Sequence, residues 1–400
     1  MKQTISALFI IITLNSLAQH PGCDGNRYKN YVFATYDSTI NVQYGQNYTM
    51  NNVLQNLIMD VYEPHADTLQ KRPVIVMIHG GSFTGHTRQD EKKRCIYFAK
   101  KGFVAATIEY RLIDVPWVDS TTIVETCTKA ASDMKAAIRY FVEDEATSNT
   151  YKIDSNYIFI EGGSAGGMAA SQAAYLDSTD NIPAYIATII AANGGFQGNS
   201  STNNIHTTPI RGVINYSGAL WRKDWISHGE PPLYSAHGLV DTIVSCGHGL
   251  CDAWPFPVIM DGSCAMQQEA NSKGVYNQLY LDYGTGHCDF YNEPALDTVL
   301  QQTADFLYNL ICTNVSVNEQ ANADNQFKLY PNPANETINI TLPINKNEKE
   351  EIQLFNSIGM LLKETEASQS TQLNIGDLPS GLYFIHLKNH PQTNGKFIKE

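Results

Sequence analysis

The strongest constraint on what this 400-residue chain can fold into is seven residues long: Glu161-Gly162-Gly163-Ser164-Ala165-Gly166-Gly167. A β-branched and aromatic run, Tyr157 to Glu161, ends there, and an Ala-rich segment with helical spacing, Ala165 to Leu176, begins. A strand that turns into a helix within so few residues forces the corner residue into a backbone conformation that side chains resist. Glycines two positions either side, Gly162 and Gly166, remove the side chains that would collide in such a corner. The spacing predicts a strand-turn-helix with the Ser164 hydroxyl presented at the edge of a sheet. The helix starting beside it would point amide donors and the positive end of its dipole at any negative charge that forms there.

The rest of the sheet is legible on either side. Between Asn30 and Cys312 short β-branched runs alternate with amphipathic or Ala-rich stretches, the rhythm of a mostly parallel sheet with helices on both faces. Strands are predicted over Leu57 to Tyr62, Pro73 to His79, Phe103 to Glu109, Tyr157 to Glu161, Ile210 to Tyr216, Leu233 to His237 and Gln278 to Tyr283. Helices are predicted over Asp90 to Lys101, Thr126 to Asp144, Ala165 to Leu176, Cys264 to Lys273 and Ala295 to Ile311. The fold class is α/β, and the elbow at its centre resembles that of the α/β-hydrolases.

A serine hydroxyl is a poor nucleophile until a base takes its proton, and the base needs a carboxylate to fix its tautomer. In α/β-hydrolases the acid follows the serine and the histidine follows the acid, which restricts the search to residues after Ser164. His287, in Gly284-Thr285-Gly286-His287-Cys288-Asp289, follows the last predicted strand and precedes the last helix, and is the expected base. His206, His228, His237 and His248 are the alternatives, none of them at a strand end late enough to close the order. Asp241, a few residues beyond the penultimate strand in His237-Gly238-Leu239-Val240-Asp241, is the expected acid. Asp252 and Asp261 fall in a Cys-rich insertion, and Asp289 is too near His287 in sequence to orient it easily.

A second glycine pair, in His79-Gly80-Gly81-Ser82-Phe83, directly follows the strand that ends in Val76-Met77-Ile78. With the elbow, Asp241 and His287 it resembles the carboxylesterases that carry an H-G-G segment, including feruloyl and acetyl esterases acting on plant polysaccharides. The likeness runs from about Tyr36 to Cys312 and takes in Met59-Asp60-Val61-Tyr62-Glu63-Pro64, Glu109-Tyr110-Arg111-Leu112 and Asp133. It implies an oxyanion hole made by the amides of Gly80, Gly81 and Ala165, hydrolysis through an acyl-enzyme, an ester substrate, and no metal or organic cofactor. His79 itself is expected to be structural. Two departures are the long segment 177–209, a candidate lid or substrate wall, and the insertion from Cys246 to Cys264. Trp117, Trp221, Trp225 and Trp254 are candidates for lining an acyl pocket, although large aromatics are more often core. Rival readings are a polyester hydrolase or lipase, a serine peptidase, and a catalytically dead surface-binding protein.

The two ends speak for export. Lys2, the apolar run Ile5 to Leu14 and the small residues Ser16-Leu17-Ala18 read as a removable signal over residues 1–18, too short and too soon polar for a membrane anchor. No later stretch is long enough to span a bilayer. All eight cysteines lie between Cys23 and Cys312, as expected for an exported hydrolase domain over 19–312 stabilised by disulfides. Cys288 with Cys312 is the expected pair, pinning the histidine loop to the last helix. Zinc on Cys246, Cys251, Cys264 and His248 is a competing reading whose spacing fits no common pattern. The formal charge of −13 without a Lys or Arg cluster argues against a nucleic-acid partner.

Residues 313–325 are polar and Asn-rich and read as a linker. Residues 326–400 alternate apolar and polar between turn signals, the pattern of a small β-sandwich. The residues Leu329-Tyr330-Pro331-Asn332-Pro333-Ala334, Phe355-Asn356-Ser357-Ile358-Gly359, Leu378-Pro379-Ser380-Gly381-Leu382-Tyr383-Phe384 and Lys396-Phe397-Ile398-Lys399 resemble the C-terminal sorting domain of type IX secretion cargo in Bacteroidetes. That resemblance implies a secretion-machinery partner, export across the outer membrane, and release or surface attachment.

Overall fold

Val74 to Ile78 are wholly buried, as a strand must be when helices cover both faces of its sheet. The computed structural model describes residues 20–255, 258–313, 328–342, 349–356, 361–368, 370–388 and 390–400. The expected signal and, apart from Thr313, the expected linker lie outside the described residues. The chain divides into two compact units, residues 1–314 and 315–400.

The first unit runs β1 (Tyr36–Tyr48), β2 (Leu54–Pro64), β3 (Arg72–Ile78), α1 (Lys92–Lys100), β4 (Val104–Ile108), α2 (Ser120–Ala146), β5 (Ile153–Gly163), α3 (Ala165–Tyr175), α4 (Ala184–Ala192), β6 (Gly212–Tyr216), β7 (Ala219–Leu220), β8 (Leu233–Gly238), β9 (His248–Cys251), β10 (Val258–Gly262), α5 (Ser263–Lys273), β11 (Asn277–Asp282) and α6 (Ala295–Cys312). Eight strands form one sheet in the order β1-β2-β4-β3-β5-β6-β8-β11. The pairings from β4 through β11 are parallel, and β1 and β2 join as an antiparallel edge. Each parallel strand delivers its C-terminal end to the same rim, so loops distant in sequence meet there. The seven predicted strands and five predicted helices all form.

The sequence reading missed β1 and α4 and started α2 too late, each for a physical reason. β1 is a polar, bulged edge strand that is mostly exposed, so it carries no clean alternation. The helix α4 is apolar almost throughout, and so has no amphipathic stripe to reveal it. The helix α2 starts at Ser120 rather than Thr126 because Asp119 caps it, its side chain accepting from the Thr122 amide at 2.8 Å. The segment 177–209 is tied to α2: Lys135 and Arg139 donate to the carbonyls of Phe196 and Gln197, and the Ser200 hydroxyl donates to Asp133. It braces α2, and among the described residues no hydrogen bond ties it to Ser164, Asp241 or His287.

The disulfide expectation needs correcting. Cys312 is bonded to Cys23, and Cys288 is a free, half-buried thiol. Cys288 precedes α6 and Cys312 ends it, so an 18-residue helix about 27 Å long lies in the chain between them. Cys246 pairs with Cys264, which removes both from the zinc reading. Cys95, Cys127 and Cys251 are buried thiols. No described helix is long and apolar enough to cross a membrane.

The second unit has two antiparallel sheets. One is β12 (Lys328–Tyr330), β13 (Thr337–Thr341) and β16 (Ser370–Asn374); the other is β14 (Glu350–Asn356), β15 (Leu361–Ala367), β17 (Gly381–Leu387) and β18 (His390–Lys399), in the order β15-β14-β17-β18. Ile338 and Ile340 of the first pack with Leu354, Ile385 and Phe397 of the second, the inner faces of a small sandwich.

Candidate active site

The corner between β5 and α3 has the strain its sequence foretold. Ser164 sits at φ 52° and ψ −120°, a region that side chains rarely occupy. A Cβ on Gly162 would fall 2.2 Å from the carbonyl oxygen of Gly166, and one on Gly166 would fall 2.2 Å from that of Ile78. Only glycine fits at either place. The Ser164 amide is tied to the Tyr216 carbonyl at 2.7 Å, and the amide of Met168 takes the Ser164 carbonyl, so the corner is fixed from both sides.

The structure brings Ser164, His287 and Asp241 together. The Ser164 hydroxyl lies 2.9 Å from His287 Nε2, where it can donate, and His287 Nδ1 lies 2.7 Å from Asp241 Oδ2. Asp241 follows the end of β8, and its Oδ1 accepts from the amides of Ile243 and Val244 at 2.8 and 2.9 Å. Burial disfavours its charge, but the hydrogen bonds from His237, His287 and the Val244 amide outweigh that, and hold Asp241 well below the usual carboxylate range. Burial likewise pushes the His287 imidazolium down, and the bonds to Asp241 and then Cys288 reverse this, raising it to about 10.

Most of the alternatives are engaged elsewhere. His228 faces the Lys273 carbonyl, His248 pairs with Asp261, and Asp289 accepts the Gly286 amide at 2.7 Å, shaping the turn that carries His287. Asp261 also accepts the Lys223 amide. His237, weighed as a base, stands instead on the far side of Asp241 from His287, its Nε2 3.4 Å from Asp241 Oδ2 and 2.9 Å from the Val244 carbonyl. Because a carbonyl only accepts, Nε2 carries the proton there. The Ser263 hydroxyl, 2.7 Å from Nδ1, completes the support. The spacing of His237 and Asp241, four residues apart across a strand end, was the available signal for this role.

Gly80 lies directly against the serine: a Cβ there would come 2.9 Å from the Gly163 carbonyl oxygen and 3.3 Å from Ser164 Cβ. Among the described residues the amides of Gly80, Gly81 and Ala165 have no acceptor, which leaves them available to a ligand. His79 is buried, with its Nδ1 2.9 Å from the Gly80 carbonyl, the structural role expected of it. Under the elbow, Arg94 donates to Glu161 at 2.6 Å and also pairs with Glu91. Burial raises Glu161 to about 7, with Arg94 opposing. Of the tryptophans, Trp225 is buried core and Trp117 is exposed, while Trp254 packs against the His79–Phe83 segment. No group of three or more His, Cys, Asp or Glu among the described residues is placed to hold a metal ion.

Residues 59–220 match the family described as BD-FAE, and residues 328–400 match the secretion system C-terminal sorting domain. Among solved structures, Thermogutta terrifontis esterase 2 phosphorylated by paraoxon is 20% identical at a TM-score of 0.50, over 70% of this chain and 95% of that one. A truncated form of a carbohydrate esterase from gut microbiota is 16% identical at a TM-score of 0.50, over 69% of this chain and 97% of that one. At such identities the structures share the fold. No curated protein matches the sequence. The chain thus carries an esterase domain of the α/β-hydrolase type and a sorting domain that marks it for type IX secretion, to the cell surface or beyond.

Proposed function

We propose that this chain is an exported carboxylic ester hydrolase that works through a Ser164-His287-Asp241 triad and an acyl-enzyme. One observation carries the reading: an unbroken line of hydrogen-bonding groups runs from Asp241 Oδ2 through His287, at 2.7 and 2.9 Å, to a serine held in a strained corner at a helix start. His287 Nε2 takes the Ser164 proton as Oγ attacks the ester carbonyl, and Asp241 steadies the imidazolium that results. The carbonyl oxygen becomes an oxyanion that the amides of Gly81 and Ala165, with Gly80, would receive. The imidazolium then gives its proton to the leaving alcohol. Water, deprotonated by the same imidazole, releases the acid and restores the serine.

For the substrate, acyl groups esterified to carbohydrate or to other small alcohols are the reading that the BD-FAE match and an exported enzyme favour. The test is turnover of a p-nitrophenyl ester by the Ser164→Ala variant, expected to fall by roughly a million-fold, as a triad acting as a unit requires. Retained activity would end the assignment. Release from acetylated or feruloylated xylan, set beside short p-nitrophenyl esters, polyester film and a dipeptide amide, tests the substrate class.

A further inference from the structure

Every carbonyl from His79 to Phe83 is occupied. The Tyr110 hydroxyl donates to the His79 carbonyl at 3.1 Å, with that of Gly80 at 3.4 Å, and His79 Nδ1 holds the Gly80 carbonyl at 2.9 Å. The Thr84 amide holds that of Gly81, the Trp254 indole N–H that of Ser82 at 2.9 Å, and the Ile113 amide that of Phe83 at 2.8 Å. In a planar trans peptide the carbonyl of one residue and the amide of the next point in opposite directions. Fixing the His79 carbonyl therefore aims the Gly80 amide, and fixing the Gly80 carbonyl aims the Gly81 amide. The donors for a developing oxyanion are set from behind.

The segment needs holding. Gly81, Ser82 and Phe83 follow one another at φ 99°, 52° and 61°, and a left-handed backbone at Ser82 and Phe83 is disfavoured unless the surroundings impose it. Tyr110, 1% exposed, lies with its ring 4.5 Å from that of His79, while the Trp254 ring is parallel to Phe83 at 6.2 Å and an interplanar angle of 3°. Trp254 comes from the Cys246–Cys264 insertion, and Tyr110 from just beyond the end of β4. Two elements far apart in sequence thus grip opposite ends of one strained loop.

We propose that Tyr110 and Trp254 are positioning residues that hold His79 to Phe83 in the form whose amides receive the oxyanion, an inference that rests on the acyl-transfer reading above. The cleanest test removes one hydrogen-bond donor at a time: Tyr110→Phe and Trp254→Phe in the full chain, assayed with p-nitrophenyl acetate and with phenylboronic acid, which forms a tetrahedral adduct on a serine Oγ. Losing an oxyanion donor outright typically lowers kcat by 10²–10³-fold, so a loosened one is expected to cost about 10- to 100-fold. KM should stay within about twofold, the boronate inhibition constant should rise in step with the fall in kcat, and the acid limb of the pH profile should not move.

A variant that melts near wild type with kcat and boronate affinity unchanged would overturn the inference. So would a raised KM at constant kcat, the signature of a pocket wall, or a shifted acid limb, which would mean action through His287. If Tyr110→Phe does not fold, Trp254→Phe decides, because it keeps a ring on Phe83 and loses only the N–H. Failure of the underlying reading looks different: wild type would ignore phenylboronic acid, and Ser164→Ala would stay active.

Discussion

Cys23 is bonded to Cys312 across 289 positions of sequence, joining a segment that precedes the first strand of the hydrolase unit to the last residue of its last helix. Constraining so long a loop in the unfolded chain is worth about 6 kcal/mol in the chain-entropy picture, whereas the 18-residue separation of Cys246 and Cys264 gives about 3 kcal/mol. The two bridges have different tasks. Cys246 follows Asp241 closely, and its carbonyl accepts the Cys264 amide at 2.7 Å, so that bridge anchors the loop that carries Asp241. The Cys23→Ser/Cys312→Ser double variant should lose more than about 10 °C in Tm, with kcat at 25 °C within about twofold. The Cys246→Ser/Cys264→Ser pair should lose less Tm yet lower kcat about tenfold or more. Calorimetry and p-nitrophenyl ester kinetics on both separate the effects.

Gly80→Ala should lower turnover without unfolding the domain. The new Cβ meets a backbone oxygen at 2.9 Å and Ser164 Cβ at 3.3 Å, distances that demand a shift of a few tenths of an ångström at the reacting group. A 1 Å misplacement can cost about 10²-fold in kcat, so a shift of a few tenths is expected to cost about 10-fold. Gly166→Ala is a harsher change. Its Cβ would sit 2.2 Å from the Ile78 carbonyl oxygen, and a loss of at least about 3 kcal/mol in stability is expected, read from denaturant unfolding.

The pH dependence follows from His287. In the proposed mechanism only the neutral imidazole can take the Ser164 proton, so kcat/KM should rise with pH through the imidazole's titration and level off above it. With that titration raised to about 10, the acid limb should lie well above the ordinary histidine value of about 6.5. The linked stability has the opposite sense: the raised group's contribution is complete below pH 6.5 and is lost as pH climbs toward 10. Cys288 helps hold the proton on His287, so Cys288→Ala should move the acid limb to lower pH. A limb that stays in place would remove Cys288 from this role.

What the sequence made legible were the features set by local chemistry. Strand β5, the elbow and α3 follow from a β-branched run, four glycines and a row of alanines, and the parallel order follows from the alternation of strands with helices. The placement of His287 and Asp241 was legible because parallel strands send their ends to one rim. Long-range contacts were not. The Cys23–Cys312 bridge depends on where a segment before β1 passes, and no spacing records that. The hold of Trp254 on Ser82 joins residues 172 positions apart, and Tyr110 read simply as a strand-end aromatic. His237 was visible as a histidine, but its place behind the acid depended on Ser263 and Val244 coming to it.

The identity of the acid gives the sharpest test of the proposed site, because Asp241, Asp252, Asp261 and Asp289 all follow Ser164. Asp241→Asn keeps the shape but can present an N–H where His287 Nδ1 needs an acceptor, which favours the wrong imidazole tautomer and should cost about 10⁴-fold in kcat at neutral pH. Asp261→Asn changes a group engaged with His248 and the Lys223 amide, and should stay within about tenfold of wild type. Asp289→Asn weakens the bond to the Gly286 amide that shapes the His287 turn, and a fall of about tenfold is expected there, less than at Asp241 because the triad contacts themselves survive. Side-by-side kcat measurements on the three variants, each checked for an unchanged melting curve, rank the carboxylates. A larger loss at Asp289 or Asp261 than at Asp241 would move the acid to that residue.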